Sequence, residues 1–444
     1  MSLPAWLNRD LALLFVGRAL RSLTQSCLTI VVPIYVAFLG FGALDLGYLF
    51  TAAALASAAL AAAVGFLSDR FGRRNLLIAM SLLTTAAGVA FALAHSFALL
   101  MLAAAMGTVG RTGPAGAGAS VGPYYPAEQA LVAEHSSDRA RTTAFGALAF
   151  VGVVAGAFGS LMAALPMLAR VHFGASVLGG FRAVFWIVAV LGVVMAAVTM
   201  PVHEAARTQT LAVPPANTRN LSAATSDAPG SGRRLGLSRE SWWLVLRFAA
   251  INGVNGLAVG MLGPFVVYWF YRRFAVNAAQ LGQLFFVINL AAGVPNLLVG
   301  RISRLLGAVS TVVWARAISA AFLLATVLMP SFLGAACMYT LRAVSGALWI
   351  PVRQSYLMGL IEPRERATAA GLTNVPLQIT SLVSPYFAGL MMATLWLASP
   401  IALAAILQGS TAAMYWGFFR AIPAPEERQA PAEARTPGRG EAGR

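Results

Sequence analysis

The sequence predicts an all-α membrane protein with 12 transmembrane helices arranged as two six-helix, pseudo-symmetric bundles. Composition is the first observation: of 444 residues, 59% are hydrophobic and 10% are charged, whereas soluble proteins carry about 25% charged residues. The second is a series of twelve apolar runs, each long enough to cross a hydrocarbon core of roughly 30 Å as a helix. The third is a repeat that relates the second half of the chain to the first.

The apolar runs follow one another with short polar connections, apart from one long interruption. They span residues 11–39, 44–67, 76–94, 97–125, 142–165, 181–200, 242–270, 281–299, 311–329, 332–357, 367–393 and 400–419. The interruption is rich in Ala, Thr, Ser, Asn and Pro, which predicts a flexible linker. The expected domains are an N-terminal bundle over 1–200, a cytoplasmic linker over 201–241, a C-terminal bundle over 242–420 and a disordered cytoplasmic tail over 421–444.

The repeat is clearest around the fourth and tenth runs. Residues 126–146 align without a gap with residues 351–371, and Pro, Gln, two Arg, Thr and Gly recur in register. A weaker echo relates residues 65–72 to residues 300–307. Two parallel repeats place a pseudo-two-fold axis along the membrane normal, with a binding site between the halves.

The charge of the chain orients the predicted helices. The net charge is +16, and every basic residue is Arg. Positive residues accumulate on the cytoplasmic side of a membrane, and the side of the chain termini holds most arginines outside the runs. The other side holds only Arg170, Arg182, Arg272 and Arg273. We expect both termini in the cytoplasm, a bacterial inner (plasma) membrane location and no nucleic-acid partner.

A short arginine-rich loop separates the second and third runs. Residues 65–77 read GFLSDRFGRRNLL, and the residues expected to form a gating loop are Gly65, Asp69, Arg70, Gly72, Arg73 and Arg74. This loop resembles the signature loop between helices two and three of the major facilitator superfamily. With the twelve runs, the repeat and the linker, the resemblance covers about residues 10–420.

The resemblance implies a monomeric transporter that works by alternating access, with this loop holding the outward-open state through charge contacts between the halves. From the residues alone, the loop arginines can pair with Asp69, Glu134 or Asp138, or with lipid phosphate. Alternatively they only anchor the topology. Arg111, in the fourth run, resembles the helix-four arginine of the drug:proton antiporter branch, although Thr112 and Gly113 follow it where that branch has a Gln a few residues on.

Ionisable residues inside predicted membrane helices are candidates for function because burying them there is costly. Glu128 is the acid expected at membrane depth and the leading proton-titrating candidate, with Arg111 or Arg353 as its partner; a plain structural ion pair is the competing interpretation. Arg316 is expected to snorkel to the interface. The full set expected along the substrate or proton pathway is Arg18, Arg21, Gln25, Arg111, Glu128, Asn252, Asn255, Asn289, Arg342, Arg353, Asn374 and Gln378.

Three functions remain open from the sequence. The first is proton-coupled efflux of small amphipathic organic molecules, and the second is carriage of an organic anion without proton coupling. The third is a membrane receptor or scaffold that transports nothing. The two cysteines and four histidines lack metal-ligand spacing, and no catalytic or nucleotide-binding arrangement stands out. We therefore expect no enzyme activity, no metal and no cofactor; the expected partners are the lipid bilayer, a small-molecule substrate and protons.

Overall fold

The structure is a computed structural model that describes residues 7–106, 123–136, 140–204, 238–362 and 365–422. Those residues form α-helices, one short 3-10 helix over Met162–Ala164 and, within the described ranges, no strand. The helices are α1 (Arg9–Phe38), α2 (Ala43–Phe71), α3 (Arg73–Leu93), α4 (Phe97–Ala105), α5 (Tyr125–His135), α6 (Arg141–Leu161), α7 (Leu165–Phe173), α8 (Val177–Thr199), α9 (Arg239–Phe274), α10 (Ala278–Leu306), α11 (Ala308–Leu328), α12 (Phe332–Ala347), α13 (Trp349–Leu360), α14 (Arg366–Thr394) and α15 (Ser399–Phe419).

Eleven of the predicted spans are present as helical segments long and apolar enough to cross a membrane. The predicted span over 97–125 is described only at its two ends, by α4 and by the start of α5. We call the end of the molecule where α1 begins and α15 finishes the terminal end, and the opposite end the distal end. The predicted linker begins with residues that pack on the N-terminal bundle, since Val202 is fully buried in its core.

Prolines set where the long helices bend or restart. α9 loses helical geometry at Gly263, directly before Pro264, which cannot donate a hydrogen bond to the preceding turn. The tenth predicted span is divided at Leu348 into α12 and α13. Pro126 and Pro351, which are equivalent in the repeat, both lie in the first turn of a helix, where proline is tolerated. The sequence repeat therefore corresponds to two helices, one in each half, that begin in the same way.

The same tight turn follows the second helix of each half. Gly72 ends α2 with φ 88° and ψ 142°, and Gly307 ends α10 with φ 81° and ψ 154°. A positive φ is strained for residues with a Cβ atom, so glycine is required at both turns. α3 and α11 begin directly after these turns and have the same length of 21 residues. Residues 235 positions apart are therefore equivalent in these helices.

The two bundles meet at the distal end through small residues and aromatic rings. A Cβ atom added at Gly389 would lie 2.9 Å from the Cα atom of Gly47, so α2 and α14 approach with almost no side chain between them. Tyr48 packs on Tyr386 with ring centroids 5.4 Å apart. On the other side of the pseudo-two-fold axis, the Asn289 amide donates to Ser160 Oγ at 3.2 Å. The structure is closed between the halves at the distal end.

Within the N-terminal bundle, α6 crosses α1 at Gly159. A Cβ atom there would lie 2.6 Å from the Cα atom of Leu23, whereas one added at Gly146, on the same helix, would meet nothing within 4 Å. We expect Gly159→Ala to lower the free energy of unfolding by about 1–3 kcal/mol, because an inserted methyl group forces the two backbones apart. Thermal unfolding of the detergent-solubilised protein measures this effect.

Gly146→Ala is the matched control. It is expected to leave stability unchanged or raise it by about 0.5–1 kcal/mol, since Ala favours the helix more than Gly does. Equal melting temperatures for the two variants would contradict the close crossing of α1 and α6.

Candidate functional site

Glu128 lies in the interior of the N-terminal bundle between two arginines. It is 2% exposed, and Arg18 and Arg21 are each 4% exposed. Arg21 Nη2 lies 2.6 Å from both carboxylate oxygens, and Arg18 Nη1 donates to Oε2 at 3.2 Å. The arginines reach the same carboxylate because they are three residues apart on one face of α1. These ion pairs join α1 to α5.

An aromatic ring and a small cavity complete this group. The Arg21 guanidinium lies 4.8 Å from the ring centroid of Tyr124, a cation–π contact. The Tyr124 hydroxyl shares a 2.7 Å hydrogen bond with Thr84 Oγ1. We call Arg18, Arg21, Tyr124 and Glu128 the N-cluster. Beside it is a cavity of about 20 Å³, which is room for one water molecule.

Glu128 is the carboxylate partner of both arginines in the N-cluster. Two buried cations share one buried carboxylate. Neutralising the carboxylate leaves both arginines without their counter-charge, and a buried ion pair broken on one side costs about 3–5 kcal/mol. Removing the charge of Glu128 therefore destabilises this arrangement of α1 and α5.

The C-terminal bundle contains a second buried polar group, built differently. Arg353 donates to the Asn252 side-chain oxygen, and the Asn252 amide donates to the Thr373 carbonyl at 2.7 Å. Arg316 donates to the Asn255 side-chain oxygen and, from Nε at 3.3 Å, to the hydroxyl of Thr411. The acceptors of both arginines are neutral oxygens.

One indole ring lies against both of these arginines. The guanidinium carbons of Arg316 and Arg353 are 4.2 Å and 4.7 Å from the ring centroid of Trp349. We call Asn252, Asn255, Arg316, Trp349 and Arg353 the C-cluster. None of the ion pairs between described residues includes an arginine of the C-cluster.

The repeat shows that the two clusters occupy equivalent places. The alignment of 126–146 with 351–371 makes Glu128 equivalent to Arg353, and extended by two residues it relates Tyr124 to Trp349. The equivalence of α3 with α11 relates Ser81, which lines the cavity of the N-cluster, to Arg316. At these two equivalent positions, the N-terminal half carries a carboxylate and a serine, whereas the C-terminal half carries two arginines.

Two expectations drawn from the sequence were wrong. Arg353 is not the partner of Glu128, because it lies in the other bundle and binds Asn252. Arg316 does not snorkel to the interface: it is 4% exposed and its guanidinium lies inside the C-cluster. Eight residues after the start of α11, the side chain is already surrounded by α9, α13 and α15.

Other predicted pathway residues are dispersed. Gln25 is buried, and its side-chain oxygen has no hydrogen-bond partner among the described residues. Arg342 is half-buried with its guanidinium carbon 5.5 Å from the Tyr339 ring centroid. Asn289 joins the two bundles at Ser160, as described above. Gln378 is half-buried on α14, and Asn374 is exposed with its amide bonded to the Ala370 carbonyl of its own helix. Arg111 lies outside the described residues.

The predicted gating loop makes contacts on the terminal end of the N-terminal bundle. Arg73 Nη1 pairs with Glu134 at 3.1 Å, one of the partners proposed from the sequence. The Glu204 carboxylate accepts hydrogen bonds from the backbone N–H groups of Arg73 at 2.7 Å and Arg74 at 3.4 Å. Glu204 thereby caps the N-terminus of α3, where a negative charge is favourable. The side chain of Asp69 lies outside the described part of the chain, and so does Asp138.

Three residues of these contacts were missed from the sequence. Trp349 was not singled out, although its position opposite Tyr124 in the repeat would have indicated it. Arg316 was set aside because of its nearness to a helix end. Glu204 was assigned to the linker, and no local pattern marks it as the cap of a helix more than 130 residues earlier.

Comparisons with known proteins agree with this architecture. The sequence profile described as Major Facilitator Superfamily matches residues 14–253 and 248–442. An uncharacterised membrane protein of Saccharomyces cerevisiae is 22% identical over 403 residues, which cover 86% of this chain and 88% of the yeast protein.

Two solved structures share the fold. A bacterial homologue of the human lysosomal transporter Spinster, in an inward-facing and occupied conformation, matches with a TM-score of 0.69 at 16% identity, covering 94% of this chain and 98% of that chain. The nucleoside transporter NupG matches with a TM-score of 0.63 at 11% identity, covering 93% of this chain and 99% of that chain. The predicted all-α fold of two six-helix bundles is confirmed. This chain is a multi-pass integral membrane protein and belongs to the Major Facilitator Superfamily.

Proposed function

We propose that the chain is a secondary active transporter that works by alternating access and couples proton movement to the efflux of small amphipathic organic molecules. The single observation that carries the coupling is the buried Glu128 carboxylate between Arg18 and Arg21. An ionisable group held inside a membrane protein is costly, and such groups commonly form proton relays in transporters.

Alternating access is supported by how the bundles meet. α2 and α14 approach closely at Gly47 and Gly389, and beside this crossing the halves meet through the rings of Tyr48 and Tyr386, which can separate without breaking an ion pair. With both termini in the cytoplasm, as the arginine distribution favours, closure at the distal end corresponds to a cytoplasm-open state. The transport cycle then consists of opening this end while the terminal end closes.

The N-cluster connects the protonation of Glu128 to the conformation of the protein. Protonating Glu128 removes the ion pairs that join α5 to α1, and α1 also packs against α9 of the other bundle. The loss of these pairs changes the balance between arrangements of α1, so a proton biases the contact between the halves. A ligand or proton shifts a conformational equilibrium only through such a differential interaction.

The direction of transport and the branch of the superfamily rest on sequence resemblance. Arg111 supports assignment to the drug:proton antiporter branch, and with it efflux. The arginine distribution supports an inner-membrane protein with cytoplasmic termini, and a monomer follows from the same resemblance. The gating loop is proposed to bias the two states through Asp69 and the arginines that follow it.

A second candidate, an organic-anion carrier, is favoured by the C-cluster. Its arginines have neutral acceptors, which is the electrostatic environment that attracts an anion. A receptor or scaffold that transports nothing is the alternative in which no flux is observed for a broad compound panel.

We expect Glu128→Gln to reduce proton-gradient-driven flux in proteoliposomes by more than about tenfold, because an amide cannot carry the proton that the proposed coupling requires. Substrate counterflow without a gradient should persist, since that exchange needs no net proton movement. The measurement compares both fluxes in the same vesicles for a panel of amphipathic compounds.

Two further variants separate coupling from folding. Arg21→Gln combined with Glu128→Gln removes one of the two arginines together with the acid, so its melting temperature should recover in part while coupling stays lost. Glu240→Gln, an exposed acid at the start of α9, should transport like the wild type. Gradient-driven flux that survives in Glu128→Gln would refute Glu128 as the coupling residue.

Glu204→Ala tests the cap beneath the gating loop. The variant leaves two N–H groups of α3 without their acceptor and should lower the free energy of unfolding by about 0.5–2 kcal/mol. Arg73→Gln removes only a partly exposed pair, which is worth about 0–1 kcal/mol. Chemical or thermal unfolding of the two variants checks the order; a larger loss for Arg73→Gln would contradict the capping role of Glu204.

A further inference from the structure

We propose that the C-terminal bundle contains an oxyanion-binding site, formed by Arg342 together with Arg316 and Arg353, which takes the carboxylate or phosphate group of an organic ligand. The inference rests on the proposed transport function, and it deepens that function by assigning the substrate to the organic anions.

The first argument is uncompensated charge. Arg316 and Arg353 are 4% and 7% exposed, and the acceptors described for them are amide and hydroxyl oxygens. The positive charges of Arg342 and Arg353 both repel that of Arg316. A cation held away from water is stable only when it is paired. In the equivalent layer of the other bundle the pairing group is Glu128, whereas here the equivalent residue is itself an arginine.

The second argument is a set of donors with unused capacity. Tyr339 and Gln408 are fully buried, and the Tyr339 hydroxyl, Gln408 Nε2 and Arg342 Nε have no partner among the described residues. Buried donors are normally satisfied. Two of these residues are neighbours, since the Arg342 guanidinium carbon lies 5.5 Å from the Tyr339 ring centroid.

The donors are connected to the C-cluster by one hydroxyl. Ser319 Oγ donates to the Arg342 backbone carbonyl at 3.1 Å and lies 3.4 Å from Gln408 Oε1. Ser319 is three residues after Arg316 and so on the same face of α11. The Arg342 backbone, the Gln408 side chain and the face of α11 that carries Arg316 therefore meet at Ser319.

Arg342 is the most exposed of the three arginines: it is half-buried on α12, whereas Arg316 and Arg353 are buried. A guanidinium presents a planar fork of N–H groups that matches carboxylate and phosphate oxygens. The surrounding positive charge repels ammonium ligands, and a neutral ligand does not balance that charge.

The test measures binding, without transport, on the purified full chain in nanodiscs of phosphatidylcholine. Benzoate and phenyl phosphate are expected to raise the melting temperature saturably by about 2 °C or more, because ligands that bind only the folded state stabilise it. Benzamide and benzylamine, which have the same ring without the negative charge, should give no shift.

Variants then identify the residues on which the rise in melting temperature depends. Arg342→Gln and Arg353→Gln should each abolish the anion-dependent shift. Arg342 is half-buried, so its variant stays folded, and size-exclusion chromatography confirms that. Arg273→Gln, an exposed arginine at the end of α9 in the same half, is the matched control and should keep the full shift. A shift retained in Arg342→Gln, or equal shifts with benzamide and benzoate, would overturn the proposal.

A second arm distinguishes the source of the oxyanion. Nanodiscs that also contain phosphatidylglycerol test a lipid headgroup; an Arg342-dependent shift with this lipid alone supports the site but assigns it to lipid. Because binding is measured without a gradient, anion binding in a protein that shows no flux would refute the proposed transport function and leave this site standing. Coupled flux of uncharged compounds without anion binding would refute this site and leave the proposed transport function standing.

Discussion

A charge buried among membrane-spanning helices must be balanced, and this constraint shapes both bundles of the protein. In the N-terminal bundle the balance comes from Glu128, whose carboxylate holds Arg18 and Arg21. In the C-terminal bundle, the arginines at the same layer rest on amide and hydroxyl oxygens and on the face of Trp349. Cation–π contacts and neutral acceptors offset only part of the desolvation of a guanidinium. The asymmetry leaves one half with a buried carboxylate between two arginines and the other half with buried arginines on neutral acceptors.

The contact between the halves is the second determinant of function. Gly47 and Gly389 let two backbones approach, so the interface depends on shape and on few long side chains. Such a contact can separate without breaking strong polar interactions. The helix α1 belongs both to the N-cluster and to the contact with α9, so it connects Glu128 to the interface between the halves.

The sequence predicted the architecture well because the signals for it are local. Each of these signals is contained in a stretch of about twenty residues. The signals are the apolar runs, the two separate glycine turns at Gly72 and Gly307, and the Pro-containing segment that occurs in both halves. Glu128 was recognised as a buried acid for the same reason. Its partners were not, since Arg18 and Arg21 lie more than 100 residues away and the register between helices leaves no local pattern. Arg316 was misjudged because distance from a helix end does not reveal which neighbours surround it.

Distance measurements between spin labels test the central claim, that the charge of Glu128 sets the balance between the two states. Labels at the equivalent exposed positions Phe71 and Leu306 report the terminal end, and labels at Leu93 and Leu328 report the distal end, in a background without native cysteines. Relative to the wild type, Glu128→Gln should shift the two distance distributions in opposite directions. Identical distributions in the two proteins would contradict the account.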